Sequence, residues 1–232
     1  MNIRGIYKTS LINFPGKICT VLFTGNCNLR CRYCYNPELV ANSNELEYYS
    51  ADYILSFMEK RKKTVRAITL SGGEPTVDPD IESFTQKLKA AGLAVKLDTN
   101  ALNPAIIERL ASQKLIDYAA IDIKTSPEKY NALTGAQVDF YLIKKTIELL
   151  AGFRINMEIR TTCVPGFAEL DDFKQIGSAL GHISAYYIQQ FVPSDNLLDK
   201  KMSSLKPYPL SHLQELANYI KVFSDICSVR GG

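Results

Sequence analysis

Three cysteines lie close together, at the spacing Cys27-x3-Cys31-x2-Cys34. Asn26 and Asn36 flank them, which is typical of a loop. A short loop can place three thiolates around one inorganic cluster, and three ligands leave one iron of a [4Fe-4S] cluster without a protein ligand. Such an iron can bind and activate a small molecule. The spacing therefore predicts an iron–sulfur site with an open coordination position.

Close cysteines also occur in zinc sites and in disulfide scaffolds. A structural zinc ion takes four ligands, usually from two C-x2-C pairs. Here the fourth ligand would have to come from Cys19, Cys163, Cys227, His182 or His212, which are all distant in sequence. Disulfide scaffolds are short secreted chains, whereas this chain has six cysteines in 232 residues and no secretory signal pattern. The iron–sulfur interpretation is favoured, and we expect Cys19 and Cys163 to be small buried strand residues.

The overall composition is that of an ordinary globular protein. Hydrophobic residues make up 46% of the chain, charged residues make up 22%, and the formal net charge is +3. This charge is too small to indicate nucleic acid binding. No apolar run approaches the roughly 20 residues of a membrane span. We therefore expect one domain over residues 1–232 in the cytoplasm, with neither nucleic acid nor a membrane as partner.

The residue before the third cysteine narrows the interpretation. With Tyr33 at this place, the C-x3-C-x-aromatic-C pattern resembles the signature of the radical S-adenosylmethionine (SAM) enzymes. The resemblance implies that Cys27, Cys31 and Cys34 hold a [4Fe-4S] cluster. It also implies that SAM chelates the fourth iron, and that Tyr33 offers its backbone and ring to the adenine. The predicted single domain is then a radical SAM domain.

A second motif follows the strand predicted at 65–70. Taken alone, Gly72-Gly73-Glu74 is a turn after a strand. Two glycines also let a backbone approach a ligand closely, because no Cβ intervenes. The segment matches the GGE motif of the radical SAM family, which implies that Gly72, Gly73 and Glu74 bind the amino group of SAM. The two motifs together are more specific than either one.

Strand and helix patterns alternate along the chain. Runs of β-branched and aromatic residues predict strands at 18–24, 65–70, 93–97, 118–124, 154–163 and 185–191, with a closing strand at 226–229. Caps and periodicity predict helices at 50–62, 78–91, 103–112, 126–135, 140–151, 169–180 and 211–223. Residues 2–17 are expected to be a lead-in that ends in a turn.

This alternation implies parallel strands joined by right-handed crossovers. Six strand–helix units are too few for the eight of a complete barrel. The predicted fold class is therefore α/β, a partial (β/α)6 TIM-like barrel of the radical SAM type, as the resemblance also implies. An open doubly wound sheet is the alternative. In both folds ligands bind at the carboxyl ends of the strands, where both motifs fall.

Charged residues stand at the ends of two later strands, namely Asp98, Asp122 and Lys124. A carboxylate in such a place is costly unless it is paired, hydrogen-bonded or bound to a cation. Each aspartate could simply cap the turn that follows. The functional interpretation is that the aspartates bind cationic or hydroxyl groups of SAM, with Lys124 paired to a carboxylate.

A narrower resemblance extends over essentially the whole chain. Asp98-Thr99-Asn100 and Asp122-Ile123-Lys124 resemble the D-T-N and D-x-K motifs of glycyl-radical activating enzymes, where the matching residues surround SAM and a monovalent cation. Residues 9–39 and 188–199 are similar to the activating proteins of anaerobic ribonucleotide reductase.

Three positions depart from these patterns. Tyr35 stands where many activating enzymes have histidine, and Asn26 replaces a common glycine. The segment 189–193 has no histidine where the pyruvate formate-lyase activator places one against SAM. The first two departures concern the geometry of the cysteine loop, and the third argues against a pyruvate formate-lyase activator.

The resemblance implies an oxidoreductase that installs a glycyl radical on a partner enzyme, anaerobic ribonucleoside-triphosphate reductase. Flavodoxin or ferredoxin would supply an electron for cleavage of SAM to methionine and a 5′-deoxyadenosyl radical, which removes a glycine Cα hydrogen. A different glycyl-radical enzyme stays open as the partner. Two further alternatives are a radical SAM enzyme for a small molecule such as a deazapurine precursor, with Arg160 as a candidate contact, and a scaffold without activity.

Overall fold

The described part of the chain contains eight strands in one sheet. The computed structural model describes residues 1–231, and its strands are β1 (Ile3–Ser10), β2 (Cys19–Thr24), β3 (Ala67–Gly72), β4 (Ala94–Thr99), β5 (Tyr118–Asp122), β6 (Asn156–Cys163), β7 (Ile183–Gln190) and β8 (Ser224–Arg230). They lie in the sheet in chain order. β1 pairs with β2 antiparallel, and β2 with β3, β3 with β4, β6 with β7 and β7 with β8 in parallel.

Strand order decides between the two predicted folds. In a doubly wound sheet the order reverses at a switch point, whereas here each strand lies beside its successor from β1 to β8. This is the winding of a barrel-type α/β protein. The predicted fold class, an α/β partial barrel of the radical SAM type, is confirmed.

The helices occupy the connections between strands. They are α1 (Pro37–Val40), α2 (Ala51–Arg61), α3 (Ile81–Ala90), α4 (Pro104–Ser112), α5 (Tyr130–Thr134), α6 (Phe140–Gly152), α7 (Leu170–Leu180) and α8 (Leu210–Ile220). Short 3-10 helices lie at Pro75–Val77 and Lys200–Ser204. No helix in residues 1–231 has both the length and the hydropathy that a membrane crossing needs.

The chain forms two compact units, each made of three segments. Unit 1 contains Met1–Asn28, Glu38–Ala120 and Lys145–Asn156, and unit 2 contains Leu29–Pro37, Ile121–Lys144 and Met157–Gly232. A single radical SAM domain over residues 1–232 stays a prediction, and its last residue, Gly232, lies outside the described residues.

Unit 1 has its core between strands and helices. β2 and β3 are almost entirely buried. α2 begins after Ser50, whose hydroxyl accepts a hydrogen bond from the Tyr53 N–H at 3.2 Å, as the sequence predicts. That helix buries Ile54 and Met58. The segments that contain the sequence motifs begin at the carboxyl ends of β2, β3 and β4.

Unit 2 separates apolar and charged residues by strand alternation. On β6, Ile159 and Thr161 are buried, and the Thr161 hydroxyl lies 2.6 Å from the Tyr186 hydroxyl on β7. Glu158 and Arg160 occupy the alternate positions and therefore point to the opposite face of the strand. That face carries charged groups, as described below.

Several predicted boundaries are wrong for local reasons. Residues 2–17 contain a strand, β1, in which three consecutive residues, Tyr7, Lys8 and Thr9, are exposed, so the two-residue alternation of a strand is absent. The helix predicted from Asp78 begins at Ile81, because the Asp78 carboxylate accepts from the N–H groups of Asn2 and Asp80 and its backbone is extended. The helix predicted over 126–135 begins only at Tyr130. The closing strand is confirmed as β8.

Candidate functional site

The first half of the cysteine loop belongs to unit 1 and is held by the Gly72–Glu74 turn. The Gly73 N–H donates to the Thr24 carbonyl at 2.9 Å, and the Glu74 N–H donates to the Asn26 carbonyl at 2.8 Å. β3 therefore fixes the backbone that leads into Cys27.

Both glycines of this turn are required by the close approach of two backbone segments. A Cβ on Gly72 would lie 2.4 Å from the Thr24 nitrogen, and the φ of +113° there also favours glycine. A Cβ on Gly73 would lie 1.9 Å from the Asn26 carbonyl oxygen. The sequence predicts that these glycines let their backbone approach a ligand closely. In the structure they let the Gly72–Glu74 turn pack against the backbone that leads into the cysteine loop.

The Glu74 side chain is engaged within unit 1. It is 1% exposed, and its Oε1 accepts from the Thr76 N–H at 3.1 Å, the Thr76 hydroxyl at 2.6 Å and the Thr99 hydroxyl at 2.8 Å. Its Oε2 accepts from the Asn100 N–H at 2.7 Å. Burial raises the pKa of this carboxyl, against the lowering effect of these donors. Three donors on Oε1 and one on Oε2 hold the carboxylate, so Glu74 ties the end of β3 to the end of β4.

An amide pair links the cysteine loop to the end of β4. Asn100 Nδ2 donates to Asn28 Oδ1 at 2.7 Å, and the Cys27 sulfur lies 3.9 Å from the same oxygen. Sequence reasoning quoted Asn28 and Asn100 only as members of motifs and gave them no role. Asn100 directly follows β4 and Asn28 lies in the cysteine loop, and no local pattern links the two.

Asp98 is paired within its own strand. Lys96 donates to the Asp98 carboxylate, and the two side chains are 1% and 8% exposed. The Lys96 ammonium also lies 5.9 Å from the Tyr118 ring centroid. Lys96 was not singled out from the sequence, because a lysine in a strand usually faces solvent.

The second half of the cysteine loop belongs to unit 2. The Arg30 N–H donates to the Thr134 carbonyl at 2.7 Å, and the Arg32 N–H donates to the Leu133 carbonyl at 2.9 Å, so the end of α5 anchors this half. The Cys34 N–H closes a turn onto the Cys31 carbonyl at 2.9 Å.

Tyr33 points into the core of unit 2. It is 6% exposed and packs in a cluster with Leu133, Val164, Phe191, Leu197 and Met202. The resemblance implies that the ring and backbone meet the adenine, but the ring is used here for packing. Only the backbone of Tyr33 is retained in the function proposed below.

Two of the sequence departures contact each other in unit 2. The Tyr35 hydroxyl accepts from the Val192 N–H at 3.0 Å, and its ring lies 6.4 Å from the Phe191 ring. Tyr35, which stands where many activating enzymes have histidine, therefore hydrogen-bonds the segment 189–193. That segment lacks the histidine of the pyruvate formate-lyase activator. The remaining departure, Asn26, has a φ of +68°, a conformation that asparagine tolerates better than most residues other than glycine.

Asp122 lies between two cations in unit 2. Arg160 Nε donates to its Oδ1 at 2.8 Å, and Lys124 Nζ donates to its Oδ2 at 3.3 Å. Burial acts to raise the pKa of the Asp122 carboxyl, but Arg160 and Lys124 outweigh it and hold that pKa well below its usual range. Burial acts to lower the pKa of Lys124, and Asp122 more than reverses this effect. Both groups are therefore charged at neutral pH.

The thiols of the loop suit an iron–sulfur cluster better than a reactive nucleophile. Burial raises the pKa of the Cys31 thiol to about 11, opposed mainly by the nearby Lys124. Such a thiol is poorly nucleophilic alone, whereas coordination to metal deprotonates it. Within residues 1–231 no three Cys, His, Asp or Glu side chains form a group suited to one metal ion. Cys19 and Cys163 are fully buried, as expected.

Comparison with known proteins places this arrangement in a family. Residues 21–176 match the model of the radical SAM superfamily. The chain is 32% identical to a glycyl-radical enzyme activating enzyme of Methanocaldococcus jannaschii, over 98% of this chain and 95% of that protein. It is 27% identical to the pyruvate formate-lyase-activating enzyme of Staphylococcus epidermidis, over 92% and 89% of the two chains.

A solved structure shows the same fold at low identity. SuiB of Streptococcus suis, in its SAM-bound crystal structure, superposes with a TM-score of 0.65 and 18% identity over 88% of this chain. This chain covers 48% of the SuiB chain.

The fold and the motifs define a SAM-dependent iron–sulfur enzyme of the partial-barrel class. The chain belongs to the radical SAM superfamily, whose cofactors are a [4Fe-4S] cluster and SAM, and its relatives include glycyl-radical enzyme activating enzymes.

Proposed function

We propose that this enzyme installs a glycyl radical on a partner enzyme, and that the partner is anaerobic ribonucleoside-triphosphate reductase. The name of the Methanocaldococcus jannaschii relative supports the activating role. The resemblance of residues 9–39 to reductase activators supports this partner, and the absence of histidine in 189–193 argues against pyruvate formate-lyase. Flavodoxin or ferredoxin in the reducing cytoplasm would supply the electron.

In this proposal Cys27, Cys31 and Cys34 hold the cluster. When bound, the cluster and SAM supply one-electron cleavage to methionine and a 5′-deoxyadenosyl radical, which takes a Cα hydrogen from the glycine of the partner. The observation that carries the proposal is the cysteine loop, whose backbone is fixed on one side by Gly73 and Glu74 and on the other by Thr134 and Leu133. The three thiols do not form a metal-binding group in residues 1–231, so binding of the cluster would draw their side chains together on this anchored backbone.

The residues of unit 1 would bind the methionine end of SAM through backbone groups. The Glu74 carboxylate already accepts four hydrogen bonds, so we assign it to fixing the Gly72–Glu74 backbone, whose polar groups meet the SAM amino group. Asp98 supplies negative charge for the cationic groups of SAM and for a monovalent cation.

The residues of unit 2 would bind the ribose and adenine of SAM. Asp122 is ionised and oriented by two cations, so it can accept hydrogen bonds from ribose hydroxyls. Lys124 balances the negative charge of Asp122 and of the thiolates. The Tyr33 backbone would meet the adenine.

An anaerobic experiment tests the proposal. Cluster-loaded protein is mixed with SAM, a reductant and anaerobic ribonucleotide reductase from the same organism. Electron paramagnetic resonance then detects a glycyl radical, and chromatography detects 5′-deoxyadenosine. We expect both signals from the wild type and neither from Cys31→Ala.

Matched controls separate cluster binding from folding. Cys19→Ala and Cys163→Ala remove buried strand cysteines, so these variants should retain the iron content and both signals. Deoxyadenosine without a glycyl radical would refute this partner and keep the radical SAM chemistry. A cluster-loaded wild type that yields neither product would refute the catalytic proposal itself.

A further inference from the structure

Arg230, at the end of β8, reaches over β7 to a carboxylate on β6. Its Nη1 and Nη2 atoms donate to the two carboxylate oxygens of Glu158 at 3.1 and 2.9 Å. Its guanidinium lies 3.4 Å from the centroid of the Tyr187 ring on β7. Glu158 is 2% exposed. A bidentate pair laid on an aromatic ring has a closely fixed geometry.

Arg160 lies between this pair and Asp122. Its Nε donates to Asp122 at 2.8 Å, while its Nη1 is 3.9 Å from Glu158 Oε1. One guanidinium thus has two carboxylates within reach and hydrogen-bonds Asp122. Loss of one cation from a buried carboxylate is costly, so without Arg230 the Glu158 carboxylate would draw Arg160 closer than the present 3.9 Å.

We propose that Arg230 is a positioning residue that keeps Arg160 on Asp122 by satisfying Glu158. The inference rests on the proposed function in one respect, since it gives Asp122 a role in binding SAM. With Arg160 drawn away, Asp122 would keep only the longer contact to Lys124 at 3.3 Å and would turn toward it. Arg230 would then influence SAM affinity without touching SAM.

The first test needs neither cluster nor SAM. Urea unfolding of cluster-free protein gives the coupling between Arg160 and Asp122, from the variants Arg160→Gln, Asp122→Asn and the double variant. In the wild-type background we expect a coupling of about 10-fold in the unfolding equilibrium. In the Arg230→Ala background it should fall to about 2-fold, because Arg160 has moved to Glu158.

A second-site change distinguishes competition from general damage. Glu158→Gln removes the competing charge, so Arg230→Ala combined with Glu158→Gln should restore the coupling between Arg160 and Asp122. Loss of packing around Arg230 would not be repaired in this way.

Binding of SAM provides the second readout. Equilibrium dialysis of labelled SAM against cluster-loaded protein should show about 10-fold weaker binding for Arg230→Ala. The double variant with Glu158→Gln should bind within about 3-fold of wild type. Lys174→Ala, which removes an exposed ion pair with Asp171 on α7 of the same unit, is the matched control and should bind SAM as the wild type does.

The outcomes separate the inference from the proposed function. Unchanged coupling in Arg230→Ala, or a double variant as defective as the single one, would overturn the inference. If Arg230→Ala lowers the coupling as expected but the wild type shows no affinity for SAM, the proposed function is refuted and the positioning of Arg160 is established.

Discussion

Glu74→Gln is the most informative single change, because the Glu74 carboxylate joins two strand ends through four hydrogen bonds. Glutamine has nearly the same shape but carries one acceptor oxygen. That oxygen can replace Oε1 and keep the three donors from Thr76 and Thr99. The amide nitrogen would then face the Asn100 N–H, which has donated to Oε2 at 2.7 Å.

The magnitude follows from these contacts. A buried N–H left without an acceptor costs about 1–3 kcal/mol. The three retained bonds lose their ionic character, which adds about 1 kcal/mol. Against this, burial raises the pKa of Glu74 and so disfavours its charge, and the neutral amide is relieved of that cost. We expect a net loss of about 2 kcal/mol in the free energy of unfolding.

The pH dependence of the free energy of unfolding provides a second, independent test of Glu74→Gln. The folded-state pKa of Glu74 is raised above that of the unfolded chain. Between these two values the folded protein binds more protons, so wild-type stability falls as pH rises through the folded-state pKa. Glu74→Gln lacks this contribution and should show a smaller decline over the same interval.

Urea unfolding of cluster-free protein, followed by circular dichroism, measures both effects. Glu82→Gln is the matched control, because Glu82 is only half-buried on α3 and accepts from Arg109 and Gln113. That variant should unfold at the wild-type urea concentration. If Glu74→Gln were also as stable as the wild type, the four hydrogen bonds would not have the strength assigned to them.

Three other changes test the framework of the site by the same assay. Gly73→Ala should destabilise the protein by about 3 kcal/mol, because its Cβ would lie 1.9 Å from a backbone oxygen. Gly152→Ala meets nothing within 4 Å and should gain about 0.5 kcal/mol; equal effects of the two would contradict the steric argument. Asn26→Ala should cost about 1 kcal/mol at its φ of +68°, while Asn26→Gly should cost none. Lys96→Met should cost about 3 kcal/mol by leaving the buried Asp98 charge without this cation. Adding Asp98→Asn should recover most of that loss, and failure to recover would mean that the Lys96 side chain acts through packing.

Local signals account for what the sequence could predict. The alternation of strands and helices is readable from neighbours in sequence, and the fold class it predicts is confirmed. The cysteine spacing and the two glycines before Glu74 are equally local signals, and the site they indicate stays a prediction. β1 was missed because three consecutive residues, Tyr7, Lys8 and Thr9, are exposed, so the two-residue alternation of a strand is absent. The start of α3 was misplaced because the Asp78 carboxylate accepts from Asn2, a partner 76 residues away.

The roles of individual side chains depend on partners that no local pattern reveals. Glu74 was expected at the ligand, but Thr99 and Asn100 engage its carboxylate from another strand. Arg230 and Glu158 are separated by 72 residues, so nothing in either segment indicates their pairing. The motifs therefore predict which segments form the site, which stays a prediction, whereas the contacts of individual side chains required the fold.

The buried ion pairs of the two units are not explained by stability alone. Ion pairs inside a protein often contribute less than apolar residues of the same volume would, because desolvation offsets their attraction. Unit 1 nevertheless buries Lys96 with Asp98, and unit 2 lines one face of β6 with Glu158 and Arg160. The proposed binding of SAM gives these buried pairs a function. Asp122 accepts hydrogen bonds best as a carboxylate, and against the effect of burial Arg160 and Lys124 lower its pKa and so keep it ionised. Under the proposed function, Lys96 and Arg160 would hold Asp98 and Asp122 in position before SAM arrives, and apolar replacement of either pair is expected to keep the fold while weakening SAM binding.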